Sequence, residues 1–170
     1  IENAIHEIKS ENGENWSVKQ MVIFRKNLDE RLKKLSAEEK KDDLLTFEQL
    51  GVDMMMVDEA HFFKNCFVFT KLRNVAGITT SSSQRAFDML LKCQYIQETN
   101  QGRGVVFATC TPISNSISEL FVMQRYLQPQ ELERFGWSYF DTWIAHFAKR
   151  TSVLELKPEG GGDRMRDRFV

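Results

Sequence analysis

An α/β fold, with a mostly parallel sheet flanked by helices, is what this sequence predicts, and three observations predict it. Met54-Met55-Met56-Val57 is a short apolar run bounded by Gly51 and Asp53, with the length of a buried strand. Arg103-Gly104-Val105-Val106-Phe107-Ala108 carries a second such run. Helical patterns lie between and after them, at 85–99 and from Ile113 onward, with apolar stripes suited to packing on a sheet.

The elements follow in order. Residues 2–12 read as a short helix broken by Gly13 and Asn15, with Ser17 placed to cap the next. Val18, Met21, Val22, Leu28, Leu32 and Leu35 keep near-helical spacing, so 18–35 reads as one amphipathic helix with Val22 and Leu28 in a core. Ser36 with Glu39 has the capping-box pattern of a further short, charged helix. Residues 1–43 are thus expected to form a helical lobe or insertion. Its stretch from Lys19 to Lys41 holds eight basic residues against four acidic, which suits either a phosphate-facing surface or a solvated helix face. Residues 44–50 read as a short helix leading into the first strand.

Asp58-Glu59-Ala60-His61 follows that strand directly. Two adjacent carboxylates at the carboxyl end of a strand form the Walker B arrangement of nucleotide-hydrolysing enzymes. The first helps hold Mg²⁺, and the second orients or deprotonates the attacking water. Such residues sit at the lip of the sheet, where open α/β folds bind ligands. The plain alternative is a strand ending in a solvated acidic turn.

Phe62 and Phe63 read as core. Residues 66–80 read as a loop, with Gly77 and the run Thr79 to Ser83 marking a mobile connector and suiting a helix N-terminus. In the helix from Arg85 to Thr99, Phe87, Leu90, Leu91 and Ile96 are expected to face inward. After the second strand, Thr109-Cys110-Thr111-Pro112 is a hydroxyl-rich turn that suits either sensing a phosphate or plain helix capping. Pro112 and Ser114 are the expected helix-start residues. Ile113, Ile117, Leu120, Phe121 and Leu127 form the expected apolar stripe. Residues 130–150 carry Phe135, Trp137, Tyr139, Phe140, Trp143 and Phe147, read as core rather than as a base-stacking platform. Residues 151–157 and 163–169 flank Pro158-Glu159-Gly160-Gly161-Gly162 as a β-hairpin. In its second strand Arg164, Arg166 and Arg168 share one face, to meet phosphate or to protect an edge. His6 and His146 have no ligand partner at metal spacing.

Composition bounds the function. The chain has 170 residues, 42% hydrophobic and 28% charged, with net charge −1. That is the make-up of one cytoplasmic globular domain and argues against a strongly basic nucleic-acid module. No apolar run approaches the roughly 20 residues that span a bilayer. Cys66, Cys93 and Cys110 form no Cys-x-x-Cys pair, so neither a disulfide framework nor a zinc site is indicated.

Taken together these residues resemble the first RecA-like motor domain of superfamily 2 helicases, in the Swi/Snf-type branch. Asp58-Glu59-Ala60-His61 matches motif II, the DEAH box, and Lys64-Asn65 match the Ala-His-x-x-Lys-Asn stretch after it. Thr109-Cys110-Thr111-Pro112-Ile113-Ser114-Asn115, with Glu119-Leu120-Phe121 and Tyr126-Leu127-Gln128-Pro129, matches motif III and its helix. The resemblance is strongest to helicase-methylase-type proteins of bacterial mobile elements and phages, and it covers residues 44–135 well.

The resemblance implies a partial RecA-like P-loop NTPase core at 44–150, with the hairpin at 151–170 appended. It implies ATP and Mg²⁺ as cofactors, with Asp58 holding Mg²⁺ through water and Glu59 activating the hydrolytic water. His61 would link that site to Thr109 or Thr111. Double-stranded DNA and a second RecA-like domain of the same parent chain are the implied partners. Arg73, Arg85, Lys64 and Asn115 are the candidate DNA contacts.

Two departures stand out. Motif III usually has Gly where this chain has Cys110, and Gly alone adopts positive φ freely. No Gly-x-x-x-x-Gly-Lys-Ser/Thr phosphate loop occurs, so the chain is read as a motor fragment that hydrolyses no ATP alone. The rival readings are a catalytically inactive DNA- or protein-binding module derived from such a motor, and a metal hydrolase with Asp58, Glu59 and His61 as ligands.

Overall fold

The computed structural model describes residues 22–23, 25–27, 29–30, 33, 45–72, 75, 78, 83–114, 116–156 and 162–170. The expected helix at 2–12, the capping box at Ser36 and Glu39, and Leu28 lie outside the described residues. The chain divides into two compact units, Ile1–Gly51 and Val52–Val170.

In the first unit the described residues from 22 to 33 are helical, where the apolar spacing predicts a helix, and Arg25 pairs with Asp29 one turn on. Val22 is exposed rather than in a core. The expected helix at 44–50 is one 3₁₀ turn, Glu48–Leu50. Thr46 and Gln49 cap it reciprocally: the Thr46 amide donates to Gln49 Oε1 at 2.9 Å and the Gln49 amide to Thr46 Oγ1 at 3.4 Å. This is the capping-box exchange.

The second unit is α/β. Strand β1 (Met55–Val57) and strand β2 (Val105–Phe107) pair in parallel, Met55 opposite Val105 and Val57 opposite Phe107. Gly104 lets the strands close. Its φ is +95, and a Cβ there would lie 2.6 Å from the Asp53 carbonyl oxygen, so only glycine fits. Met55 and Val105 pack on the core, whereas Met56 and Val106 on the other face are exposed.

Helix α1 (Gln84–Thr99) lies between the strands in sequence. It buries Ala86, Leu90, Cys93, Ile96 and Gln97, a stripe at helical spacing that leaves Leu91 exposed. Helix α2 (Ile117–Leu127) starts later than expected, capped by Ser116, whose hydroxyl accepts the Ser118 amide at 3.1 Å. Pro112 and Ser114 therefore belong to the preceding turn. The buried face of α2 is Ser118, Glu119, Phe121, Val122, Met123 and Tyr126. Of the expected stripe, Phe121 is inside, and Ile113, Leu120 and Leu127 are exposed.

Helices α3 (Pro129–Arg134) and α4 (Phe140–Phe147) close the core. Phe140 and Trp143 are buried against Phe121, while Phe135, Tyr139 and Phe147 are exposed. Gln97 Nε2 donates to the carbonyls of Tyr126 and Leu127 at 3.0 and 3.2 Å, supplying donors to the open end of α2. The segment after Asn65 is no featureless loop: Cys66, Val68 and Thr70 are buried alternately, as in an extended strand-like chain. Val75 forms one bridge to Asp167.

Strands β3 (Arg150–Leu156) and β4 (Asp163–Phe169) form the expected antiparallel hairpin. Arg166 and Arg168 stand opposite Val153 and Thr151 on one face, and Arg164 takes the register position opposite Glu155. Arg166 and Arg168 pair with Glu155, so that face carries its own counter-charge. Among the described residues no helix is long and apolar enough to cross a membrane.

Candidate functional site

The parallel register brings two turns side by side. β1 runs into Asp58-Glu59-Ala60-His61, and β2 into Ala108-Thr109-Cys110-Thr111. The Ala108 amide donates to the Val57 carbonyl at 2.9 Å, and the Ala60 amide to the Ala108 carbonyl at 3.0 Å. The two turns are thus stitched through their backbones just past the carboxyl ends of the strands, where such sheets bind ligands.

Asp58 and Glu59 are both exposed. Asp58 Oδ1 accepts the Glu59 amide at 2.9 Å, and its other oxygen has no partner among the described residues. Glu59 has φ 52 and ψ 44, the left-handed region. For a residue with a side chain this costs on the order of 1–3 kcal/mol, and such strain clusters at functional positions. Its carbonyl accepts the Phe62 amide at 3.1 Å, which starts the 3₁₀ turn Ala60–Phe63. The strain thus re-aims the chain at the end of the strand and swings Glu59 outward.

His61 Nδ1 lies 3.0 Å from Glu59 Oε2 and 3.2 Å from Thr109 Oγ1. An ionised carboxylate only accepts, so Nδ1 carries the proton. That proton faces both the second carboxylate and the neighbouring turn. Thr109 Oγ1 also accepts the Thr111 amide at 3.2 Å. His61 therefore touches Thr109 directly, and Thr111 only through it.

Cys110 is exposed beside this site. Among the described residues, the non-glycine positions with positive φ are Glu59 and Gln101. The backbone at Cys110 thus does not require the glycine usual there. Cys66 and Cys93 are buried, and burial raises both thiols, Cys93 to about 12. Thiolate is the reactive form. Iodoacetamide at neutral pH is expected to modify Cys110 alone in the folded chain and all three cysteines in denaturant, as read by intact mass. Modification of Cys93 without unfolding would contradict this packing.

The other candidates fall differently. Arg85 is exposed on the first turn of α1, its guanidinium 5.6 and 5.5 Å from the Phe62 and Phe63 ring centres. Lys64 points inward: its ammonium pairs with Glu119 Oε2 at 3.4 Å and donates to Ser114 Oγ. Arg73 and Asn115 lie outside the described residues.

Arg125 is a contact that sequence reading did not single out, and Glu119 and Tyr126 entered it only within the match to motif III. Arg125 Nη1 donates to the Phe67 carbonyl at 2.6 Å, and its guanidinium lies 4.5 Å from the Phe67 ring centre. Tyr126 Oη lies 3.0 Å from the Phe63 carbonyl and 2.7 Å from that of Ala86. Burial pulls Arg125 below its ordinary value and pushes Tyr126 up. Their helical position offered a signal only for burial, not for these partners.

The residues suit one role toward a divalent cation and not another. Among the described residues no three His, Cys, Asp or Glu side chains are grouped to hold a metal. Asp58 alone, exposed at the strand end, suits a Mg²⁺ held by one carboxylate, waters and substrate phosphates.

Comparison with known proteins adds three findings. The family model described as a probable helicase domain matches residues 2–160. The defense against restriction protein B of Escherichia phage P1 is 31% identical over 114 residues, covering 65% of this chain and 5% of that protein. The chain thus spans about one-twentieth of that relative's length. No solved structure matches the chain.

Proposed function

This chain belongs to the probable helicase domain family, and we propose that it is part of the first RecA-like domain of a Swi/Snf-type, DNA-dependent ATPase. The parent couples ATP hydrolysis to translocation on double-stranded DNA. The observation that carries the reading is the junction of the two turns. Adjacent carboxylates end one strand, hydroxyls end its parallel neighbour, and His61 Nδ1 lies within 3.2 Å of Thr109 Oγ1. The exposed apolar face at Met56 and Val106 supports a sheet completed by other segments of the parent, because parallel sheets are covered on both faces.

In this reading Asp58 would hold Mg²⁺ through water, and the chemistry the ion would supply there is neutralisation of phosphate charge. Glu59 takes the proton of the attacking water. Its Oε2 is shared with His61 Nδ1, so His61 orients the base. The same proton faces Thr109, which gives motif III a direct hold on that orientation. Arg85, exposed beside the carboxylate turn, is the contact offered to DNA phosphate in this reading.

The test is Asp58→Ala in the full-length parent. Mg²⁺-dependent ATP turnover is expected to fall to background, and retained turnover would refute the assignment. The rival inactive binding module rests on the missing phosphate loop alone, since the Cys110 backbone does not need glycine.

A further inference from the structure

We infer that Lys64 and Glu119 are positioning residues that lock the turn carrying Asp58, Glu59 and His61 to the turn carrying Thr109 and Thr111, so that neither moves alone. The inference rests on the proposed role of Asp58 and Glu59 as the reacting carboxylates.

One oxygen joins the two segments. Glu119 Oε2 accepts the Ser114 amide at 2.7 Å and lies 3.4 Å from Lys64 Nζ. Lys64 also donates to Ser114 Oγ. The side chains of Lys64 and Glu119 are only 14% and 8% exposed. Ser114 lies three residues after Thr111, and Lys64 three after His61. Lys64 is tied back to His61 by its own amide, which donates to the His61 carbonyl at 3.4 Å.

The contact between His61 and Thr109 sits nearer solvent, with the His61 side chain 27% exposed, so water competes for it. The inner pair has little water around it. Removing one partner of a buried pair costs more than removing one of an exposed pair. α2 holds the same segment at two further points, Tyr126 at the Phe63 carbonyl and Arg125 at the Phe67 carbonyl. The segment 63–67 therefore follows α2, and Lys64 with Glu119 is the ion pair among these links. A shift of the 109–114 turn is carried to Glu59 through it.

Backbone amide exchange by NMR on this chain tests the lock. Two reporters bracket it: the Ala60 amide, bonded to Ala108, and the Thr111 amide, bonded to Thr109. In Lys64→Met both are expected to exchange at least about tenfold faster, while Leu90 and Tyr126 amides in α1 and α2 keep their rates. Lys64→Arg, which keeps a cation facing Glu119 and leaves the Ser114 acceptor in place, is expected to keep most of the protection. Acceleration at Ser114 alone, with Ala60 and Thr111 unchanged, overturns the inference.

If Lys64→Met unfolds the chain, Glu119→Gln decides by the same two amides, since it keeps an acceptor for Ser114 and removes only the charge. In the parent the same variant is expected to lower kcat by about 10–100-fold with KM for ATP unchanged, as for a displaced catalytic group. The exchange experiment needs no ATP. Independent turns in an active parent overturn the lock alone, and coupled turns in a parent without turnover contradict the functional reading alone.

Discussion

Glu59→Gln in the full-length parent is expected to lower ATP turnover by about 10²–10⁴-fold, the range a positioned general base contributes. The substitution keeps the size of the side chain and an oxygen to face His61. It removes the ability to take a proton. Glu59 is exposed and glutamine keeps an oxygen for its contact with His61, so the fold should be untouched and the unfolding temperature unchanged. The strained φ of 52 at this position is already present with glutamate, and glutamine meets the same strain. Loss of activity with stability retained therefore assigns the loss to chemistry. Turnover within about threefold of wild type would remove Glu59 from the reaction, because no general base is so dispensable.

Trp143→Ala is the largest expected effect on stability. The indole is 1% exposed and lies 5.5 Å from the Phe121 ring centre and 4.9 Å from that of Phe147. Its Nε1 donates to Gln124 Oε1 at 2.8 Å. Truncating a buried aromatic of this kind costs about 3–5 kcal/mol. For a chain of this size that lowers the unfolding midpoint by about 6–20 °C, measured by circular dichroism on heating. A drop below about 2 °C would mean that α4 does not close the core.

The parts of the fold written in local pattern were legible. Both short apolar runs became strands, the glycine-rich stretch separates two paired strands, and the periodicity of 85–99 became α1. The start of α2 was not legible, because Ser114 and Ser116 are both competent caps. Tertiary structure decides between them: Glu119 binds the Ser114 amide and leaves Ser116 to cap. Ser116 and Glu119 have capping-box spacing, yet the carboxylate reaches past its box to Ser114 and Lys64. Counting apolar residues also missed that α2 buries Ser118 and Glu119 and exposes Leu120.

At the site, the composition of Asp58, Glu59, His61, Thr109 and Thr111 was legible, and their adjacency follows from the parallel pairing of β1 and β2. The left-handed backbone of Glu59 was not, since nothing about glutamate announces positive φ. Nor was the inward turn of Lys64, which depends on a partner 55 positions away. The alternation of Cys66, Val68 and Thr70 was present in the sequence as a period-two pattern, but Phe67 and Phe69 mask it by making the whole stretch apolar.

We propose that this chain carries the carboxylates of a DNA-driven ATPase. The most direct test is steady-state ATP hydrolysis by the full-length parent, with and without double-stranded DNA. Turnover is expected to rise when DNA is added. Absent turnover while DNA is bound, or a rate indifferent to DNA, would contradict it.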